Sequence, residues 1–285
     1  MIFFNSSAFN FDDNIINAVG NPANVVIFTS KENMNDDTMS KIAYNKFPIT
    51  VFLQQRGNIN EFDLRFYTKD GKEFGLCGHG TICAAGVINA AYKNLSTNIS
   101  FHLSDARVIE ASLGKNQATI KFPTTDVELL KNKITAEKLC EIFNIKETDV
   151  ANIYQAKSIR DYIIYLKDPK TLRNIKPNLD LILKYSAELN SRIITIFSDT
   201  NFADFNIEVR VFSHLIVGKN IGDGEDVACG SANCSIAPIL NKDSYKTLFP
   251  YQYNELHQFG GVQMIEYDKK NKSIKITGGF KVEEL

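Results

Sequence analysis

Apolar and polar positions alternate along much of this chain in short runs, and twice they close up into stretches with no charge at all. Ala23 to Thr29, Thr50 to Gln55 and Asp63 to Thr68 read as strands. Residues 1 to 9 read as a further strand, joined to the next through the turn-forming Gly20-Asn21-Pro22. Met39 to Lys46 predicts a short helix ended by Pro48. Runs at 98–103, 107–113 and 117–123, separated by turn residues, predict a meander that ends at Pro123-Thr124-Thr125-Asp126. Beyond it, Thr135 to Phe143 reads as a helix with Thr135 as its cap. Tyr162 to Leu166 and Arg192 to Phe197 predict strands flanking a helix near 178–190, whose stripe is Leu179, Ile182, Leu183 and Leu189. Phe205 to Phe212 predicts a strand, and Gly261 to Tyr267 pairs with Ser273 to Val282 as a hairpin.

The two uncharged stretches organise the rest. One runs from Leu76 through Cys77-Gly78-His79-Gly80-Thr81 to Ala91, and the other from Ala228 through Cys229-Gly230-Ser231-Ala232 to Asn241. Cys-Gly opens both, and Asn89 and Asn241 hold the same place after the cysteine. A helix built from either is apolar nearly all round and needs a sheet about it. The repeat predicts an α+β chain of two pseudo-symmetric domains, each a mixed sheet curled around a central helix. The halves are expected at residues 1–126 and 127–285, with the final strand free to return to the first half. Each Cys-Gly end is expected to face the other across a cleft.

Composition changes this picture little. The chain has 285 residues, of which 44% are hydrophobic and 23% charged, a balance that excludes disorder and fibrous repeats. A net charge of −1 gives no reason to expect a nucleic acid or an anionic membrane as partner. The opening Met1-Ile2-Phe3-Phe4-Asn5 lacks the basic and apolar regions of a signal peptide, and no stretch has the length of a membrane span. Five cysteines, an odd number, fit free thiols in a reducing cytoplasm.

The chemistry concentrates where the two helices begin. A helix start carries unpaired amides and the positive end of the macrodipole, a seat for a carboxylate or a thiolate. Cys77 and Cys229 are therefore candidates for a thiol pair that removes a proton from one face of a substrate and delivers one to the other. The alternative is that each is a small apolar residue filling a tight turn. His79 is a candidate acid, base or orienting group, and Asp226 a candidate acidic residue or a helix cap. Asp223 and Glu225 read as solvated. Cys83, Cys140 and Cys234 read as core, and the spacing of Cys77, His79 and Cys83 matches no common zinc pattern, so no metal is expected. Gly222-Asp223-Gly224 and Gly218-Lys219 lack the rest of a dinucleotide or phosphate loop.

The order of Gly20-Asn21-Pro22-Ala23, Leu64-Arg65-Phe66-Tyr67-Thr68, Leu76-Cys77-Gly78-His79-Gly80-Thr81, Val209-Arg210-Val211-Phe212, Gly224-Glu225-Asp226-Val227-Ala228-Cys229-Gly230-Ser231-Ala232 and Gln258-Phe259-Gly260-Gly261 resembles the PhzF-like family. That family lies within the diaminopimelate epimerase and proline racemase superfamily. The resemblance covers nearly the whole chain. It implies a diaminopimelate epimerase-like fold with the active site between the halves. It also implies a cofactor-independent isomerase or epimerase acting on a small carboxylate-bearing substrate, commonly as a homodimer.

Carried over, Gly78, His79 and Gly80 stand for the first substrate-contacting segment, Asp226 for the acidic residue, and Gly230 and Ser231 for the second anion site. Cys77 and Cys229 align with the opposed thiols of related racemases. One position departs: the general acid/base in the family's Ser-Glu-Thr motif falls on Ile49 of Phe47-Pro48-Ile49-Thr50, and no Asp or Glu lies between Thr38 and Asn60. That departure gives the second expectation, a non-catalytic protein that binds small acids.

Overall fold

The computed structural model describes residues 1–12, 17–46, 48–217, 222–240, 247–254 and 259–285. Of the positions used above, Phe47, Gly218, Lys219, Asn241 and Gln258 lie outside the described residues. The chain divides into two units, Met1–Phe122 with Lys275–Leu285, and Pro123–Ile274.

The first unit contains β1 (Ile2–Asp12), β2 (Asn21–Phe28), α1 (Asp36–Ala43), β3 (Ile49–Gln55), β4 (Glu61–Thr68), α2 (Gly78–Ala91), β5 (Asn98–His102), β6 (Val108–Leu113) and β7 (Gln117–Pro123). Gly20 turns the chain with a positive φ of 82°, but Asn21 and Pro22, expected in the turn, are already strand residues paired with Ala8 and Ser7. α1 begins before the expected Met39, because the side chain of Asn35 accepts the Thr38 N–H and caps it.

The strands lie in the order β7-β6-β5-β4-β3-β2-β1, with β2–β3 and β4–β5 parallel and the other adjacent pairs antiparallel. The last strand of the chain, which returns to this unit, pairs antiparallel with β1 from Phe4↔Glu284 onward and is also a neighbour of β7. The sheet therefore closes on itself. α2 packs on β1, β2, β3 and β6, and its residues Gly80 to Ile88 are all buried. A helix without charge tolerates this, since no ionised group loses its water. On the opposite face of the sheet, Val26, Phe28, Phe52 and Tyr67 bury Met39 and Ala43 of α1.

Gly86 sits where α2 meets that returning strand, and a Cβ built on it would lie 2.6 Å from Cγ of Phe280. The ring's own Cβ, at 3.1 Å, hinders escape by rotation. Alanine favours a helix over glycine by about 1 kcal/mol, whereas overpacking costs about 1–3 kcal/mol. Gly86→Ala is therefore expected to lower the urea midpoint, and Gly86→Ala with Phe280→Leu to restore most of it. A raised midpoint for the single variant would show that the contact relaxes freely.

The second unit contains α3 (Lys133–Phe143), β8 (Val150–Ala156), β9 (Asp161–Leu166), α4 (Pro169–Arg173), α5 (Leu179–Glu188), β10 (Ile193–Asp199), β11 (Ile207–Phe212), β12 (Glu225–Asp226), α6 (Asn233–Leu240), β13 (Pro250–Asn254), β14 (Phe259–Val262) and β15 (Met264–Asp268). β16 (Ser273–Glu284), the returning strand, starts here. The cap of α3 is Asn132, whose side chain accepts the Thr135 N–H, so Thr135 lies inside the first turn. Leu183, expected in the apolar stripe of α5, is 46% exposed, and Tyr185 takes the buried place instead.

The strand order is β8-β9-β10-β11-β13-β14, with β9–β10 and β11–β13 parallel. Strand alternation sends Ile163, Phe197, Ile207, Val209 and Val211 to one face, against Ala232, Ile236 and Ile239. It sends Ile164, Leu166, Ile194, Ile196 and Phe212 to the other, against α3, α4 and α5. Among the described residues no helix is long and apolar enough to cross a membrane.

Candidate functional site

The start of α2 is built around its cap. Cys77 has extended backbone angles, φ −143° and ψ 111°, and its sulfur accepts the Gly80 N–H at 3.4 Å. The His79 Nδ1 lies 3.3 Å from the same sulfur. Thr81 ties the turn shut by donating its hydroxyl to the Cys77 carbonyl at 2.7 Å. Gly80 is glycine for a reason: a Cβ there would meet the Phe66 ring at 3.0 Å and the Cys77 sulfur at 3.2 Å. Cys77, Gly78 and Gly80 are buried and His79 is half-buried. The structure thus brings Cys77, His79 and Gly80 together, with one ring nitrogen and one amide converging on one sulfur.

The second start differs from the first more than the repeated Cys-Gly implies. Gly230–Ala232 form a 3₁₀ turn that leads into α6, and α6 itself is short, with Pro238 inside it. Proline has no N–H to give to the carbonyl four residues back, that of Cys234, and the Thr125 N–H reaches it instead at 3.4 Å. Here the Cys229 sulfur lies 3.4 Å from Ser231 Oγ, while its backbone N–H donates to Gln252 Oε1 at 2.8 Å. Gln252, itself buried, donates from Nε2 to the Asp226 carbonyl at 2.6 Å, so one side chain pins both ends of the segment from Asp226 to Cys229. Asp226, Cys229, Gly230 and Ser231 are thereby gathered in the second unit.

The thiols differ from ordinary cysteine. Burial pushes Cys229 up to about 12, with the neighbouring Asp226 charge adding to the rise and Arg192 opposing it. The lowering expected from the helix start is outweighed there, because removing a thiolate from water costs more than a partial dipole returns. Burial likewise pushes Cys83 and Cys234 up to about 12 and raises Cys140, as befits thiols inside the core.

Glu225 corrects an expectation. It is 3% exposed rather than solvated, and its carboxylate takes two hydrogen bonds from Arg210, Nε to Oε1 at 2.7 Å and Nη2 to Oε2 at 2.8 Å. Asp223 is exposed, as read.

The sequence reading passed over Asp161, Arg192 and Gln252. Arg192 forks onto Asp161, with Nε 2.8 Å from Oδ1 and Nη2 bonded to Oδ2, and its Nη1 donates to Ser231 Oγ at 3.1 Å. A signal was present: an acid leads one apolar run, Asp161-Tyr162-Ile163-Ile164, and a base leads the next, Arg192-Ile193-Ile194. Parallel pairing of those two runs places the charges at the same end.

A family model described as phenazine biosynthesis-like protein matches residues 15–282. An uncharacterized isomerase of Clostridium acetobutylicum is 28% identical over 232 residues, which is 78% of this chain and 74% of that protein. A diaminopimelate epimerase of Vesicomyosocius okutanii is 25% identical over 273 residues, 87% of this chain and 86% of its own. The crystal structure of a PhzF family protein from Enterococcus faecalis matches with a TM-score of 0.79 at 22% identity, covering 100% of this chain and 99% of that one. The fold is the α+β type of the diaminopimelate epimerases and proline racemases, with a mixed sheet about a central helix in each half. By the extent of the family match, this chain belongs to the phenazine biosynthesis-like protein family.

Proposed function

We propose that this protein is an isomerase that moves a proton at a carbon atom of a small carboxylate-bearing substrate, using its own side chains rather than a cofactor. The observation that carries this reading is the recurrence of one chemistry at two helix starts, each with a cysteine at its cap and a glycine directly after it. Relatives named isomerase and diaminopimelate epimerase support the reaction class. In this reading the amides at Gly78–Gly80 and at Gly230–Ser231 hold the substrate carboxylate and stabilise the enolate-like charge that develops when the neighbouring carbon loses its proton.

The surroundings divide the labour between the thiols. The Cys77 sulfur already accepts an amide and has an imidazole beside it, an arrangement that suits a proton acceptor. Cys229, pushed up to about 12, keeps its proton at neutral pH and suits a donor. His79 then passes on or orients the proton at Cys77, and Asp226 adjusts the charge beside Cys229. Ile49 favours a second reading, binding without turnover: a hydrocarbon at the head of β3 moves no proton.

The deciding experiment incubates the protein in D₂O with a panel of amino acids and cyclic carboxylic acids and follows carbon-bound deuterium by mass spectrometry. At least one acid is expected to gain deuterium. Binding seen by calorimetry without any incorporation would replace the isomerase with the binding protein.

A further inference from the structure

We propose that Arg192 is a positioning residue for the second helix start: it holds the Ser231 hydroxyl where it donates a hydrogen bond to the Cys229 sulfur as a thiolate in the free protein and to a carboxylate in the complex. The role in the complex rests on the isomerase reading above; the role in the free protein does not.

A serine hydroxyl has one proton and two lone pairs, and ordinarily it rotates to suit its neighbours. Here one lone pair is taken by Arg192 Nη1 at 3.1 Å. A guanidinium has no acceptor and does not release its protons in proteins, so this bond cannot reverse direction. One proton and one lone pair remain, and Cys229 Sγ lies 3.4 Å away. Toward a thiolate or a carboxylate, neither of which has a proton to give, the hydroxyl is the donor.

Arg192 is itself held on several sides. Its fork grips Asp161, which is 2% exposed, its backbone N–H donates to the Arg160 carbonyl at 2.8 Å, and its carbonyl accepts the Ser213 hydroxyl at 3.0 Å. An ion pair with one partner so deeply buried gains little net stability over apolar residues of the same size. A pair of this kind next to a helix start is accounted for by what its remaining donor does. That donor reaches the one hydroxyl at this helix start, beside the cap cysteine. The chain Asp161–Arg192–Ser231–Cys229 is thus a run of hydrogen bonds ending on sulfur, its first two links charge-assisted.

The test reads the sulfur directly. Methyl methanethiolsulfonate is applied to the full-length protein between pH 7 and 9, and modification of Cys229 is timed by peptide mass spectrometry, with Cys77 as the internal control. The variants are Asp161→Asn/Arg192→Gln, which keeps a neutral hydrogen-bonded pair so that no buried charge is orphaned, Ser231→Ala, and all three together. A thiolate that loses a hydrogen bond and a nearby cation becomes scarcer, and one unit of pKa is tenfold in its population. The pair variant is expected to slow Cys229 modification roughly tenfold while leaving Cys77 unchanged. In the Ser231→Ala background the same exchange is expected to slow it by less than half as much on a logarithmic scale, because its effect runs through the missing hydroxyl. Equal slowing in both backgrounds, or none in either, would overturn the proposal. No substrate enters this measurement. Failure to exchange deuterium would therefore count against the isomerase alone, and failure here against Arg192 alone.

Discussion

Arg210→Met is expected to lower the stability of the second unit by about 3–5 kcal/mol, the range for removing one partner of a buried ion pair. Strand β11 carries its apolar residues Ile207, Val209 and Val211 toward α6, which turns Glu208, Arg210 and Phe212 to the other face. Arg210 is 5% exposed and Glu225 3%, so neither charge has water to fall back on. The guanidinium also donates from Nη1 to the carbonyls of Leu172 and Ile175, at 3.1 Å and 2.8 Å, at the end of α4, where the Leu172 carbonyl takes the Ile175 N–H as well. Methionine fills similar space and supplies none of these donors. Glu225 would then lose both hydrogen bonds from Arg210, and the two carbonyls would each lose one donor.

Arg210→Met/Glu225→Leu separates these terms. With both charges gone the desolvation cost goes too, and most of the loss is expected to return, apart from about 1 kcal/mol for each hydrogen bond lost at the two carbonyls. Amide hydrogen exchange along β10 and β11 is the measurement to use, since a chain of two units need not unfold in one step. A loss below 1 kcal/mol in the single variant would show that Glu225 finds another partner.

Glu225 also shows where the sequence was legible and where it was not. The strands, the meander and the uncharged helix were readable because burial of an element as a whole leaves a periodic mark. The expectation of two halves came from a cysteine, a glycine and an asparagine recurring at matched places. Pairwise facts leave no such mark. Whether Glu225 is solvated depends on the presence of Arg210 opposite it, and β12 is only two residues long. Leu183 fitted a helical stripe by spacing, yet the stripe that packs is rotated toward Ile182 and Tyr185. The two candidate sites divide in the same way. Cys77 and Cys229 were visible as a repeat, whereas Asp161 and Arg192 became visible only as opposite charges leading two strands that pair in parallel. The sequence reading did not use Pro238, whose missing N–H leaves the Cys234 carbonyl to Thr125 inside the second helix.

The largest effect on activity is expected from the two cap cysteines. With an acid that exchanges deuterium in hand, Cys77→Ser and Cys229→Ser should each reduce the rate of incorporation by about 10²–10⁴, the contribution of a positioned acid or base. Serine keeps nearly the size of the side chain and, at Cys77, its bond to the helix start, so the fold is expected to be retained, but a hydroxyl neither accepts the proton as a thiolate would nor returns it as readily as a thiol. Cys140→Ala is the control, since Cys140 lies on α3 in the core. The environments predict an asymmetry as well. Losing Cys77, whose sulfur takes the Gly80 amide and neighbours His79, removes the acceptor and should stop the step that breaks the carbon–hydrogen bond. Losing Cys229, held as a neutral thiol, removes the proposed donor and should stop inversion more completely than exchange. Equal exchange in wild type and Cys77→Ser, with loss only in Asp226→Ala, would move the base from sulfur to carboxylate. A one-base isomerase does not need two thiols, and the cysteine at the second start would then be there for its size.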